Sequence, residues 1–146
     1  MIDDKDLYFV AVKVFLEKEG KLFIFKDGFG KWDLPGGRIK SDEFYTPLTQ
    51  VIERKMKEEL GDDVVYELGG PILNMRHERV ENIEGSPTIR IFAVGYDAKY
   101  LGGEVRLAGH HTEYKWVDIR EMKPEEYFEG GWLSGVIEYM KIKLKN

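Results

Sequence analysis

The chain has 146 residues, about the length of one domain, and 42% of them are hydrophobic, which is enough to form a buried core. Its net charge of −5 argues against general nucleic-acid binding, because such proteins carry a basic surface. Cysteine is absent, which excludes disulfides, thiolate zinc sites and cysteine nucleophiles. Apolar runs fall short of the roughly 18 residues of a membrane-spanning helix, and no targeting signal is found, so we expect a cytoplasmic protein without membrane association.

The N-terminal third predicts strands followed by a helix. Residues 8–16 and 22–25 are β-branched and aromatic, and they predict a hairpin whose strands are covered on both faces. After a glycine-rich loop, an apolar stripe with four-residue spacing predicts a helix: Leu48, Ile52, Met56 and Leu60. We expect Thr46 as its N-cap, Pro47 at its first position and Gly61 at its end.

The remainder of the chain predicts more strands and a second helix. Strands are expected over residues 64–68, 72–80, 88–96 and 114–117, with a turn over residues 82–87. Behind Gly130-Gly131, apolar residues recur at helical spacing: Leu133, Val136, Ile137, Met140 and Leu144. No repeat or linker interrupts the pattern, so we expect one mixed α/β domain over residues 1–146.

Two adjacent acids stand near the end of the first predicted helix. Glu58 and Glu59 share an arc with Arg54 and Lys55, opposite the apolar stripe. The ordinary interpretation is a charged face in water with a weak Arg54–Glu58 pair. Adjacent carboxylates repel each other unless a cation lies between them, so a metal site is the alternative.

The residues around these acids resemble the signature of the Nudix hydrolase family, which reads G-x5-E-x7-R-E-U-x-E-E-x-G-U, with U aliphatic. Gly37 and Glu43 match its first part. The second part matches in register at five positions: Arg54, Met56, Glu58, Glu59 and Gly61. Residues 32–37 are similar to the lead-in to this signature, and residues 111–117 to a late strand of the family.

This resemblance implies an α/β fold, an α/β/α sandwich with a mixed β-sheet. It also implies hydrolysis of a phosphoanhydride bond in a nucleoside diphosphate linked to another moiety, with Mg²⁺ or Mn²⁺ as cofactor. Glu58, Glu59 and the Gly37 carbonyl would bind the metal, since hard cations prefer oxygen ligands. Arg54 would hold a carboxylate in place, with Glu43 as its partner.

Three positions depart from the family pattern. Ten residues separate Glu43 from Arg54 where the family has seven, and Asp62 replaces an aliphatic residue. Lys55 stands where the family has a glutamate that ligates metal or acts as general base, and we expect it to pair with Glu59 one turn later. An alternative function is therefore a catalytically weakened nucleotide-binding or regulatory module, and a third is an interaction protein with a solvated acidic helix.

Other candidates lie outside the helix. His110 and Glu113, with His111 alongside, lie on a late loop and could ligate metal or act as the general base, or could be exposed residues without a role. For the substrate, Arg38 or Lys55 could contact phosphate and Trp32 could stack on a base, although packing and surface roles are the alternatives. The expected partner is a small nucleotide, and a homodimer is compatible with the sequence.

Overall fold

A computed structural model describes residues 4–81, 84–85 and 87–145 of the chain. Positions 82, 83 and 86 of the predicted turn over residues 82–87 lie outside the described residues. Within the described ranges, no helix combines the length and the apolar character needed to cross a membrane.

The described residues contain a mixed sheet of seven strands. In chain order these are β1 (Phe9–Lys18), β2 (Lys21–Lys26), β3 (Trp32–Asp33), β4 (Gly36–Arg38), β5 (Val65–Val80), β6 (Thr88–Gly102) and β7 (Glu113–Asp118). The strand β1 pairs in parallel with β6 and antiparallel with β2 and β4. The path β3-β2-β1-β6-β5 crosses the sheet, and β7 pairs with β2. The predicted mixed sheet is confirmed.

Both faces of the sheet are covered, and successive residues of β1 alternate between two cores. Val12 and Val14 pack on the side of α1 (Leu48–Leu60), whereas Ala11 and Phe15 pack on the side of α2 (Gly130–Leu144). This arrangement explains the nearly continuous apolar run of β1, because a strand covered on both faces has no solvent side. The expected α/β/α sandwich is confirmed.

The strand β5 differs from the prediction, which had two strands at residues 64–68 and 72–80. The structure has one strand with shifts of register against β6 between Leu68 and Pro71 and between Pro71 and Leu73. Pro71 has no N–H to give to the ladder, and a local irregularity accommodates it without ending the strand.

The helix α1 begins one residue later than expected. Thr46 is not its N-cap, because Pro47 has an extended ψ of 142° and no side chain caps the helix. The Pro47 carbonyl instead accepts the N–H groups of Gln50 and Val51. At the other end, Gly61 donates its N–H to the Lys57 carbonyl and ends the helix as predicted.

The helix α2 packs through a face slightly rotated from the predicted stripe. Val136 and Tyr139 are buried, whereas Ile137 is on the surface. The reason is a close approach to β5: a Cβ atom at Gly135 would lie 2.2 Å from Met75 Cγ. The first turn of α2 is docked to β5 as well, since the Gly131 N–H donates to His77 Nδ1 at 3.0 Å.

Candidate active site

The glycine pair of β4 brings the strand against the second half of α1. Gly36 has φ of +128°, and a Cβ atom there would lie 2.0 Å from the Val12 carbonyl oxygen, so only glycine fits. The Gly36 N–H donates to Glu59 Oε1 at 2.8 Å. The end of the helix is thereby tied to a strand that precedes it by more than twenty positions.

Arg54 links two of the predicted acids. Its Nε and Nη2 atoms donate to the two carboxylate oxygens of Glu43 at 2.9 and 2.8 Å. Its Nη1 atom donates to Glu58 at 3.0 and 3.2 Å. The hydrogen bond from Arg54, reinforced by the Lys40 N–H, holds the pKa of Glu43 below its usual range. The expected Arg54–Glu43 contact is present, in a bidentate form that fixes both side chains.

Glu59 is mostly buried, which disagrees with the ordinary interpretation of a charged face in water. Its side chain is 15% exposed, against 48% for Glu58. Burial raises the pKa of Glu59 to about 7, although the Gly36 N–H and the charges of Lys13 and Lys55 favour the ionised form. The two neighbouring carboxylates therefore differ sharply in their environment.

Lys55 contacts Glu58 rather than Glu59, which corrects the expected pairing. Its Nζ lies 3.9 Å from Glu58 Oε2. The side chain crosses over β4, since a Cβ atom at Gly37 would lie 2.8 Å from Lys55 Cε. The physical reason is that the Gly36 N–H already holds one oxygen of Glu59, which leaves the more exposed Glu58 within reach of the ammonium group.

The late loop brings His111 to the acids, not His110. His111 Nε2 lies 3.9 Å from Glu59 Oε2, and its ring stacks on Phe25 at 3.7 Å. His110 is exposed and makes no hydrogen bond or ion pair with Glu58 or Glu59. Glu113 lies in β7 and faces Lys26, with 3.5 Å between Oε1 and Nζ. The structure thus does not bring His110 or Glu113 into the acidic site.

A cleft of about 1070 Å³ lies on the α2 side of the sheet. Aromatic and charged side chains line it: Phe29, Trp32, Asp33, His77, Arg79 and Trp132. Asp33 also lies close enough to Glu59 to influence its pKa, so the cleft and the acidic site are neighbours. Trp32 is in this cleft, whereas the guanidinium of Arg38 is held by both carboxylate oxygens of Glu81 at 2.9 and 3.3 Å.

Most of the chain matches one known protein family. A family model described as the NUDIX domain aligns with residues 7–133. The chain belongs to the Nudix family. Comparison with curated proteins gave no match.

Solved Nudix structures have the same fold. A MutT protein from Methanosarcina mazei is 23% identical, with a TM-score of 0.71, over 97% of this chain and 99% of the other. An ADP-ribose pyrophosphatase from Streptococcus suis is 16% identical, with a TM-score of 0.67, over 94% and 93% of the two chains. The dihydroneopterin triphosphate pyrophosphohydrolase of E. coli is 16% identical, with a TM-score of 0.64, over 94% and 97%.

The acids of this Nudix site suit a single hard cation better than a cluster of ions. The Gly36 N–H holds only Oε1 of Glu59, and a mostly buried carboxylate with a raised pKa gains from a nearby cation. Glu58 is already neutralised by Arg54 and Lys55. Among residues 4–81, 84–85 and 87–145, no three carboxylate or imidazole groups converge closely enough to form a complete metal site.

Sequence reasoning missed Lys13 of this site and named His111 only alongside His110. Lys13 is a buried cation in β1, 2.8 Å from Asp33 and 5.1 Å from the Trp132 ring centre. The sequence signal for Lys13 was a single charged residue within an apolar strand. A charge buried in a sheet that is covered on both faces needs an oppositely charged partner. His111 was passed over for its neighbour, because the sequence does not say which ring of a His-His pair turns inwards.

Proposed function

We propose that this protein is a metal-dependent pyrophosphohydrolase that uses water to cleave a phosphoanhydride bond in a nucleoside diphosphate linked to another moiety. The observation that carries the proposal is the docking of Glu59 on the glycine pair, with Arg54 clamped between Glu43 and Glu58 beside it. A solvated charged face would not need a buried acid or a bidentate clamp. Membership of the Nudix family supports a hydrolase, and the solved structures named above include an ADP-ribose pyrophosphatase and a dihydroneopterin triphosphate pyrophosphohydrolase.

Each residue has a distinct task in this proposal. Glu59, Glu58 and the Gly37 carbonyl would hold one Mg²⁺ or Mn²⁺ ion. When bound, the ion supplies neutralisation of phosphate charge and activation of water. Arg54 and Glu43 position Glu58, and removing Arg54 would let this exposed carboxylate rotate away.

The cleft next to Asp33 would receive the rest of the substrate. Its volume of about 1070 Å³ is that of a small-molecule site, and Trp32 offers an aromatic surface for a base. Lys13 donates hydrogen bonds to the Asp33 carboxylate and to the Leu34 carbonyl. Its positive charge balances that of Asp33, which would otherwise repel a phosphate group in the cleft. Arg38 is held by Glu81 and contributes to phosphate binding only after that pair opens.

A substrate screen tests the proposal. The purified protein is incubated with nucleoside diphosphate sugars, dinucleotides and nucleoside triphosphates in Mg²⁺ or Mn²⁺, and released phosphate is measured after coupling to a phosphatase. We expect at least one class to be hydrolysed, with activity lost in EDTA and in Glu59→Gln. Turnover that persists in EDTA would contradict the proposal.

The position of Lys55 favours a second candidate, a nucleotide-binding module with little or no catalysis. The ammonium already places a positive charge 3.9 Å from Glu58, which lowers the need for a metal ion there. This candidate predicts no turnover in the screen but saturable nucleotide binding in calorimetry. Weak binding that fails to discriminate between nucleotides would contradict both candidates.

A further inference from the structure

We propose that His77 is a specificity-determining residue, which donates a hydrogen bond from Nε2 to an acceptor atom of an uncharged nucleobase in the cleft. The inference rests on the proposed function, because it takes the cleft beside Trp32 and Trp132 as the substrate site. It adds the chemical class of the group that the cleft accepts and the residue that recognises it.

The hydrogen bonding of His77 fixes the position of its proton. The Gly131 N–H, in the first turn of α2, donates to Nδ1 at 3.0 Å, so Nδ1 presents its lone pair to the helix. A neutral imidazole has one N–H, which is then on Nε2. This atom makes no hydrogen bond to another described residue, and it is not enclosed as the hydroxyl of Tyr139 is. Because His77 lines the cleft, the Nε2–H group is available to a ligand.

The surroundings of His77 keep its ring neutral. Burial lowers the pKa of His77 below its usual value, and the positive charge of Arg79 acts in the same direction. The N–H groups in the first turn of α2 also disfavour a cation at this position. A neutral imidazole donates its N–H to an uncharged acceptor such as a carbonyl oxygen or a ring nitrogen.

Stacking holds the imidazole in a fixed orientation. Its ring centre lies 4.5 Å from that of Trp132, with 24° between the two ring planes. His77 belongs to β5 and Trp132 to the first turn of α2, and both elements are packed against each other through Met75 and Gly135. The donor is therefore carried by the scaffold and not by a loop.

The charges of the cleft favour a base over a second phosphate group. Lys13 balances Asp33 at the end next to the acidic site. Elsewhere in the described lining, five residues are acidic and two, Lys31 and Arg79, are basic. Both of these cations are already paired, with Glu129 at 3.1 Å and with Glu81 at 3.2 Å. An uncharged aromatic ring avoids the repulsion that a phosphate would meet there, and Trp32 offers it an apolar surface.

Two amide substitutions separate recognition from structure. In His77→Asn the amide oxygen can still accept the Gly131 N–H, but no donor reaches the position of Nε2. His77→Gln is long enough to place an N–H there, but it has no acceptor at the position of Nδ1. We therefore expect His77→Asn to have the higher melting temperature and His77→Gln to have the higher nucleotide affinity. A purely structural histidine would give the same order in both measurements.

Calorimetric titration of the whole protein with AMP, GMP, CMP and UMP measures the affinity, and ribose 5-phosphate is the probe without a base. We expect at least one nucleotide to bind more tightly than ribose 5-phosphate. That affinity should fall about three- to tenfold in His77→Asn and by less than about twofold in His77→Gln. His110→Asn, the same substitution at an exposed histidine, should leave it unchanged. For a substrate found in the screen, His77→Asn should raise KM more than it lowers kcat.

The tautomer is measured in the wild type by two-bond ¹H–¹⁵N correlations of the histidine rings, and this test does not depend on the folding of a variant. A proton on Nδ1 of His77, nucleotides that bind no better than ribose 5-phosphate, or equal affinity in the two amide variants would overturn the inference. Base-dependent binding that His77→Asn weakens, without turnover in the screen, would support the inference and contradict the proposed hydrolysis. Turnover with an unchanged KM in His77→Asn would support the hydrolase and remove the role of His77.

Discussion

At the scale of single residues, the site is defined by the contrast between two adjacent acids. Glu58 is half exposed and shared by Arg54 and Lys55, so its charge is balanced by the protein. Glu59 is mostly buried and accepts a hydrogen bond from the Gly36 N–H, which offsets part of the loss of hydration. Ionising Glu59 therefore costs folding free energy until a cation arrives.

The burial of Glu59 predicts a pH-dependent stability in the absence of metal. Its pKa rises from 4.5 unfolded to about 7 folded, so the folded protein binds the extra proton between these values and loses stability as the pH rises through that window. In EDTA, Glu59→Gln should gain stability relative to the wild type from pH 4.5 to 7, by up to about 3 kcal/mol. Urea unfolding at several pH values measures this difference. A difference independent of pH would show that Glu59 is not buried in the folded protein.

The contact between Lys55 and Glu58 predicts the effect of restoring the family's glutamate. Without metal, Lys55→Glu places a third carboxylate next to Glu58 and should cost about 1 kcal/mol through like-charge repulsion. With Mn²⁺ the cost should reverse, because an ion that binds only the folded state stabilises it by mass action. Thermal melts with and without Mn²⁺ measure both effects.

Lys57→Glu is the matched control for Lys55. Lys57 lies on the same helix and pairs with Glu53 at 3.5 Å, with both side chains exposed. Reversing its charge should leave the response to Mn²⁺ unchanged. Equal Mn²⁺ affinity in Lys55→Glu and the wild type would remove Lys55 from the metal site.

At the scale of elements, the site depends on the junction of β4 and α1. Gly36 approaches Val12 of β1 so closely that a side chain is excluded, and its N–H simultaneously holds Glu59 of α1. Arg54 joins α1 to the 3-10 turn at Ser41–Glu43. One short strand thus positions α1 and its two acids against the sheet.

This junction predicts that Gly36→Ala is far more harmful than alanine at another glycine with positive φ. Gly20 has φ of +80°, and a Cβ atom there would meet no atom within 4 Å, so Gly20→Ala should cost about 1 kcal/mol from backbone strain alone. Gly36→Ala adds a clash with the Val12 carbonyl and should cost roughly 3 kcal/mol or more. Chemical denaturation compares the two variants. Similar losses of stability in the two variants would mean that β4 can move away from Val12 at little cost in free energy.

At the scale of the whole molecule, two cores flank the sheet and neither one includes the acidic site. The hydrophobic packing of α1 and α2 does not include Glu58 or Glu59, so we expect the protein to fold independently of the proposed metal ion. The cleft and the acids meet near Asp33 at one end of the sheet, so substrate binding and hydrolysis would involve β3, β4 and α1 together.

This separation predicts that removal of metal inactivates the protein without unfolding it. In EDTA the circular dichroism spectrum should be unchanged and hydrolysis should be absent. Adding Mn²⁺ at about 100 times its dissociation constant should raise stability by about 2.7 kcal/mol. Calorimetric melts measure this rise, and Glu59→Gln should abolish it. Unfolding in EDTA would assign the ion a structural role instead.

The sequence by itself determined most of the longer elements and the local spacing within α1. The pattern of covered strands and apolar helix stripes predicted one mixed α/β domain, because hydrophobic periodicity is a property of neighbouring residues. The resemblance to the Nudix family implied the sandwich. The Arg54–Glu58 contact follows from one helical turn, and the family signature identified Glu43 as the partner of Arg54. These features depend on short distances along the chain or on a spacing that a helix preserves.

The tertiary structure alone decided the burial of Glu59, the direction of Lys55 and the choice of His111. The carboxylate of Glu59 is held by a strand residue 23 positions earlier, which then leaves Lys55 to contact Glu58. His111 turns inwards because Phe25 of β2 provides a ring to stack on, whereas His110 has no such partner among the described residues. Each choice depends on atoms far apart in the chain, and no local pattern encodes their approach.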